Sequence, residues 1–323
     1  MKILGIETSC DETSVSVVKN GQLILSNVIA TSLKDHQKYG GIIPEIASRK
    51  QLELINTVTH RALETARVPL KQIDAIAVTS NPGLIGSLLV GISFAQSLSY
   101  ALKKPLVEVN HITAHLYANF LRKIKQENKI KELPRLPAIG LVVSGGHSSI
   151  FHIKNFENFL LLGQTRDDAA GEAYDKVARI LKLGYPGGPV IDRISKKGIN
   201  KKIHFPCANL SNSFDFSFSG IKTSVYYHVK KQKELSSSGI QEIAYAFQKS
   251  VVGALVKKTI LACESKHIKT LVVGGGVAAN SELRKELHSQ AKKKNINVFF
   301  PDIDLCMDNA AMIAGLGYHL IKK

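Results

Sequence analysis

Along the first hundred residues, apolar and polar positions alternate in short stretches that predict strands, punctuated by longer segments that predict helices. "MKILGIETS" reads as a strand near 2–9, with further strands near 13–19 and 22–30 and "KNGQ" as the turn between these last two. A helix is predicted from about 44 to 66, then a strand "DAIAVTS" (74–80). "NPGLIGS" ends that strand and opens a helix through about 102. A short strand "PLVEVN" (105–110) leads into a helix that begins "HITAH". After a basic, proline-bearing stretch at 121–137 the order restarts. "AIGLVVS" (138–144), "SSIFHIK" (148–154) and "FLLLGQT" (159–165) predict three strands, and a helix follows at about 171–183. Residues 184–217, rich in Gly, Pro, Ser and Asn, read as an inserted subdomain. Helices at 219–231 and 237–265, a strand "TLVVGG" (270–275), a helix near 279–294, a strand "NVFFP" (297–301) and a last helix at 308–321 complete the chain. Three strands followed by alternating helices and strands thus occur twice, without a repeat at the sequence level. This order predicts two α/β lobes, 1–120 and 121–323, with a ligand cleft between them.

Composition narrows the class. Hydrophobic content of 44% and charged content of 21% are those of a soluble globular chain. No uninterrupted apolar run reaches the roughly 18 residues of a membrane span, and no secretory leader precedes the first strand, so a cytoplasmic protein without membrane attachment is expected. Cys10, Cys207, Cys263 and Cys306 form no CxxC pair, which argues against a structural zinc site or a disulfide framework. The formal net charge is +17, of which residues 1–110 hold +2 and residues 111–323 hold +15. The densest runs are 121–135, 193–202 and 291–295. Such patches fit a polyanionic partner. Lysine outnumbers arginine, however, and compositional drift on a solvated surface would give the same pattern.

Four stretches carry chemistry. "IETSCDETS" (6–14) is an acid-bearing turn between two apolar strands, in which Asp11 and Glu12 either face a cation or a hydrated phosphate or form an ordinary polar hairpin. "VSGGHSS" (143–149) holds the corresponding place in the second lobe, where Gly145 and Gly146 let backbone amides approach an anion. "VVGGGVAANSELR" (272–284) runs from strand through glycine turn to helix, with Asn280 near the helix start. It matches G-x-G-x-x-A but leaves too little chain beyond it for a dinucleotide domain, and GxxxxGK[ST] is absent from the chain. In "HITAHLYA", His111 and His115 stand at i and i+4 on one helix face, a spacing that suits a shared metal or two solvated polar residues. A metallopeptidase would carry Glu as general base after the first histidine, and Ile112 stands there instead. Asp308 of "CMDNAAMIA" offers a third ligand at the start of the last helix.

Taken together, "GIETSCDETS", "HQKYGGIIPEIASR", "HITAHLYA", "VSGGHSS", "DDAAGEAYDK", "YPGGP", "SFSGIK", "GGGVAAN" and "MDNAAMIA" run in order from end to end. This set resembles the tRNA N6-adenosine threonylcarbamoyltransferase family, formerly described as O-sialoglycoprotein endopeptidases. The departures are small: a serine follows His147 where threonine is common, and "LCMDN" stands for "LCTDN". The resemblance implies an actin-like fold of the sugar kinase and Hsp70 type. It also implies transfer of threonylcarbamoyl from threonylcarbamoyl-AMP to N6 of the adenosine 3′-adjacent to the anticodon in ANN-decoding tRNAs. It implies one divalent ion, iron or alternatively zinc, on His111, His115 and Asp308, and an adenylate site at Val142, Val143, Ser144, Gly145, Gly146, Asp175, Gly188, Asp192 and Asn280. Asp11 is the candidate auxiliary catalytic group. The partners implied are tRNA, a paralogous actin-like subunit and a small P-loop ATPase. The competing readings are a metallopeptidase, disfavoured by Ile112, and an actin-like kinase or ATP-binding module, which would release ADP rather than AMP.

Overall fold

The computed structural model describes residues 1–124, 132–198, 203–208, 210–232 and 234–321. The chain forms two compact units, one of Met1–Pro134 with Pro301–Lys323 and the other of Arg135–Phe300.

In the first unit β1 (Lys2–Glu7), β2 (Glu12–Lys19) and β3 (Leu23–Thr31) form an antiparallel meander, and β4 (Ala75–Asn81) and β5 (Leu106–Asn110) add in parallel beside β1. With β6 (Arg122–Lys123) the sheet order is β5-β4-β1-β2-β3-β6. Strand alternation divides the unit into two layers. Leu4 and Ile6 of β1 join Val15, Val17, Ile76 and Val78 in the core beneath α2 (Pro44–Ala66) and α3 (Ile85–Leu102). Gly5 faces the other way, onto α10 (Ala310–Leu320). A Cβ at Gly5 would collide with the Ala310 carbonyl and with Ala314, so only glycine allows the helix to lie this close. That contact draws the last 23 residues into the first unit, where the sequence reading had assigned everything beyond 120 to the second.

The second unit repeats the plan. β7 (Ala138–Val143), β8 (Ser148–Asn155) and β9 (Asn158–Gln164) form the meander, and β10 (Thr270–Gly274) and β11 (Asn297–Phe299) add in parallel, in the order β11-β10-β7-β8-β9. The helices are α5 (Ala170–Ile180), α6 (Gly187–Ser195), α7 (Ser219–Lys230), α8 (Ser237–Ser265) and α9 (Ser281–Lys293). The succession of three strands and then alternating helices and strands, found in both units, is the one the periodicity predicted.

Two short helices and one short strand were not expected. α1 (Leu33–Gln37) follows β3 directly, and β6 lies in the basic stretch. α6 occupies the glycine- and proline-rich segment read as an insertion. It packs on α5 and α8 with Ile191 fully buried, so this part belongs to the body of the second unit. α3 has a mean hydropathy of 1.4 and is long and apolar enough, by length and composition, to cross a membrane. Interspersed Gly, Ser and Gln hid that from a search for uninterrupted apolar runs. Here its Ser87, Gly91 and Ala95 are buried and the helix packs on β4 and α2. Of the basic runs, 125–131 and 199–202 lie outside the described residues, whereas Arg193, Lys196 and Lys197 are exposed on or just after α6.

Candidate functional site

The turn after β1 is held rigidly from two helices. Gln51 of α2, itself buried, donates through Nε2 to the carbonyls of Thr8, Cys10 and Glu12 at 3.3, 3.0 and 3.0 Å. From α3, Ser87 Oγ donates to the Cys10 carbonyl at 3.2 Å, and the Leu84 N–H donates to that of Ser9 at 2.8 Å. The turn carries Asp11, which is 8% exposed, and leads into Glu12.

α4 (His111–Tyr117) begins beside this turn. Asn110 caps it by accepting from the Thr113 N–H at 3.1 Å, which sets the first helical turn and so the direction of both histidines. The two rings meet edge to face with centroids 4.7 Å apart. Asp308 arrives just before α10, whose start is fixed by the Asn309 cap and by the Ala310 N–H donating to Ser14 Oγ at 2.9 Å. Asp308 Oδ1 lies 3.1 Å from His115 Nε2 and 3.6 Å from His111 Nε2. One ligating atom from each of the three residues falls within 4.8 Å of the others. All three belong to the first unit, because the chain returns there at Pro301, whereas the expected lobe boundary at 120 would have put Asp308 in the other lobe.

This cluster fits a cation. Both ring nitrogens of His115 are buried and make no hydrogen bond, even though Nε2 is so near Asp308. Buried polar atoms are seldom left so, and a metal ligand is a standard reason. Burial, together with Asp308 and Asp11, holds the Glu12 carboxyl well above the usual carboxylate range. Burial also pushes the Cys10 thiol up, with Asp308 and Asp11 adding to it. Burial opposes charge on His111, but Glu7 and Asp308 outweigh it and raise its pKa to about 9. Imidazole and carboxylate donors suit iron or zinc.

The sequence reading missed Glu7. It is fully buried at the end of β1, two residues beyond Gly5 and therefore on the α10 face of the strand. Its Oε2 lies 2.9 Å from His111 Nδ1.

In the second unit the predicted adenylate residues fall into three groups. Val142 and Val143 are fully buried in β7, both in the ladder to β8 and Val142 also in that to β10, so they shape the turn that follows. That turn is closed by the Ser144 N–H donating to the His147 carbonyl at 2.8 Å, and it leaves Gly145 and Gly146 exposed with open space where a Cβ would stand. Gly275, at φ +91°, passes so close to Val143 that a side chain would strike the Val143 backbone, which brings the glycine turn after β10 against the end of β7. Asp175 of α5 accepts from the Gly187 N–H at 2.7 Å, tying the start of α6 to α5. Burial raises its pKa, with the Gly187 and Gly188 amides and Arg179 opposing. Gly188 beside it is open.

Asp192 and Asn280 meet through a residue the sequence did not flag. Gln248 of α8 is 3% exposed. Its Oε1 accepts from Asn280 Nδ2 at 2.8 Å, and its Nε2 donates to Ser195 Oγ at 2.8 Å and to Asp192 Oδ1 at 3.3 Å. Ser281 Oγ donates to Asp192 Oδ1 at 2.9 Å. Asn280 also caps α9, accepting from the Leu283 N–H at 2.9 Å, so it serves the helix as well as any ligand.

Fold and site define an actin-like α/β protein of two units with a histidine–carboxylate centre in the first. Among solved structures the chain is similar to component A of the (R)-2-hydroxyglutaryl-CoA dehydratase of Acidaminococcus fermentans, with a TM-score of 0.55 at 14% identity over 99% of this chain and 98% of that one. The family model for tRNA N6-adenosine threonylcarbamoyltransferase (TsaD) matches residues 23–315. Proteins of that name from Thermodesulfovibrio yellowstonii and Clostridium kluyveri are 52% and 49% identical, over 100% and 98% of this chain and 95% and 92% of theirs. The chain belongs to the tRNA N6-adenosine threonylcarbamoyltransferase family, and it is a transferase of tRNA modification.

Proposed function

We propose that this chain transfers the threonylcarbamoyl group from threonylcarbamoyl-AMP to N6 of the adenosine 3′-adjacent to the anticodon in ANN-decoding tRNAs, releasing AMP. The observation that carries this reading is the convergence of His111, His115 and Asp308, with His115 left without hydrogen bonds, in a chain whose family match spans residues 23–315.

The chemistry suits these residues. An adenine amine is a poor nucleophile, so the carbonyl must arrive activated, here as a mixed anhydride with phosphate. The bond from N6 to the carbamoyl carbon forms, the bond from that carbon to the phosphate oxygen breaks, N6 loses a proton, and AMP leaves. Such a step needs positioning and charge stabilisation more than a side-chain nucleophile. A divalent ion, iron in this reading and zinc as the alternative, would be held by His111, His115 and Asp308 and would supply Lewis acidity toward a phosphate or carbamoyl oxygen. The Gly145–Gly146 turn, Asp175, Gly188, Asp192 and Asn280 bind the adenylate. Asp11, on the clamped turn, is the auxiliary group. In this reading the chain works in the cytoplasm with a paralogous actin-like subunit and a small P-loop ATPase, and its exposed basic residues meet the tRNA backbone.

Nucleoside mass analysis of unmodified tRNA, incubated with this protein, the two partner subunits, threonine, bicarbonate and ATP, tests the proposal. Threonylcarbamoyladenosine next to the anticodon is the expected product. Unmodified tRNA from an otherwise active mixture would overturn it.

A further inference from the structure

Glu7 is the feature that the reaction as described does not use. Its carboxylate accepts three hydrogen bonds: Oε1 from the Ser9 N–H at 2.6 Å, and Oε2 from Thr79 Oγ1 at 2.6 Å and His111 Nδ1 at 2.9 Å. His111 is its one basic partner among the described hydrogen bonds and ion pairs.

We propose that Glu7 is the positioning residue of the metal centre, fixing His111 as the Nδ1–H tautomer so that the Nε2 lone pair is presented beside Asp308 and His115. A neutral imidazole has one donor and one acceptor nitrogen, and which is which follows from the partner of the other. With Nδ1 against an acceptor-only carboxylate, the proton sits there. Ser9 Oγ, 3.1 Å from the same nitrogen, accepts from that N–H as well. His115 makes no hydrogen bond through either nitrogen, so the direction of the pair is set at His111. The carboxylate matters as such. Glutamine has one acceptor oxygen for three donors on two sides, and its NH₂ would face either Ser9 N–H or the pair Thr79 and His111.

This inference rests on the metal-site reading, and the experiment separates the two. Zn²⁺ affinity is measured by chelator competition on the full-length wild type, Glu7→Gln and Thr79→Val, with ¹⁵N-histidine NMR of the Zn²⁺-loaded proteins. The wild type should bind one Zn²⁺ and show His111 as Nδ1–H. Glu7→Gln should bind about 10–100-fold more weakly and lose that signature. Thr79→Val removes the other bond to Oε2, leaves that of His111, and should keep the wild-type affinity. A role confined to holding β1 and β4 together predicts equal losses from both variants, and that result overturns the proposal, as does wild-type affinity in Glu7→Gln. Should Glu7→Gln fail to fold, an Nε2–H tautomer of His111 in the loaded wild type overturns it alone. A wild type that binds no Zn²⁺ removes the metal-site reading and this inference with it.

Discussion

The two units share a strand order but differ in how their polar residues are balanced. At the histidine–carboxylate cluster of the first unit, Asp308 lies beside His111 and His115, one histidine has no hydrogen bond, and burial pushes the neighbouring Glu12 carboxyl and Cys10 thiol above their ordinary titration. In the second unit, buried Gln248, Asn280 and Ser195 and half-buried Asp192 and Ser281 form a network in which donors meet acceptors. A matched network holds its shape without a ligand, whereas an unbalanced cluster of acids and imidazoles is completed by a cation. One strand order thus carries two differently balanced polar clusters, and the difference lies in the turns after β1 and β10 and the helices beside them.

The largest effect that would sharpen this contrast is at Gly188. A side chain there meets open space, so Gly188→Arg should leave the far-ultraviolet circular dichroism unchanged. It should weaken binding of a stable adenylate analogue at least about 100-fold, roughly 2.7 kcal/mol. Unchanged affinity would remove this stretch from the adenylate site.

Next comes Gln248→Leu, which keeps the volume and strips both hydrogen-bonding ends. Leaving Asn280, Asp192 and Ser195 short of a partner should lower the unfolding free energy by about 2 kcal/mol, read from the denaturant midpoint. A stability within error of wild type would break the claim that the second unit's network is preorganised by internal bonds. Asn280→Ala is less discriminating, since loss of the α9 cap alone costs about 1 kcal/mol.

A smaller effect is expected on the surface. Arg193→Glu with Lys197→Glu should flatten the dependence of tRNA affinity on salt by about 0.7–0.9 log units per lost phosphate contact and leave adenylate binding alone. An identical salt slope would assign the positive charge to compositional drift.

Most strands and long helices were legible because burial on one or both faces imposes the periods that were read. The predicted helix at 44–66 is Pro44–Ala66, and 237–265 is Ser237–Ser265. The histidine pair was legible from helical spacing, and Asp308 was offered as the third ligand from its place at the start of the last helix. Glu7 was not, although the alternation that buries Leu4 and Ile6 on one face of β1 puts Glu7 on the other. What lies opposite that face, His111, comes 104 residues later in the chain. Gln248 was hidden for the same reason, standing among apolar residues of a long helix whose polar partners are 32 to 56 residues away. The return of the last helix to the first unit depends on the close approach at Gly5, which no local pattern reveals.

Metal content tests the central contrast most directly. Elemental analysis of the full-length wild type, the His111→Ala/His115→Ala double variant and Gly188→Arg, each purified with the same divalent ion, should give one ion per chain in the wild type and in Gly188→Arg and none in the double variant. A full complement of metal in the double variant, or its loss in Gly188→Arg, would contradict the assignment of the metal to the first unit's histidines and Asp308.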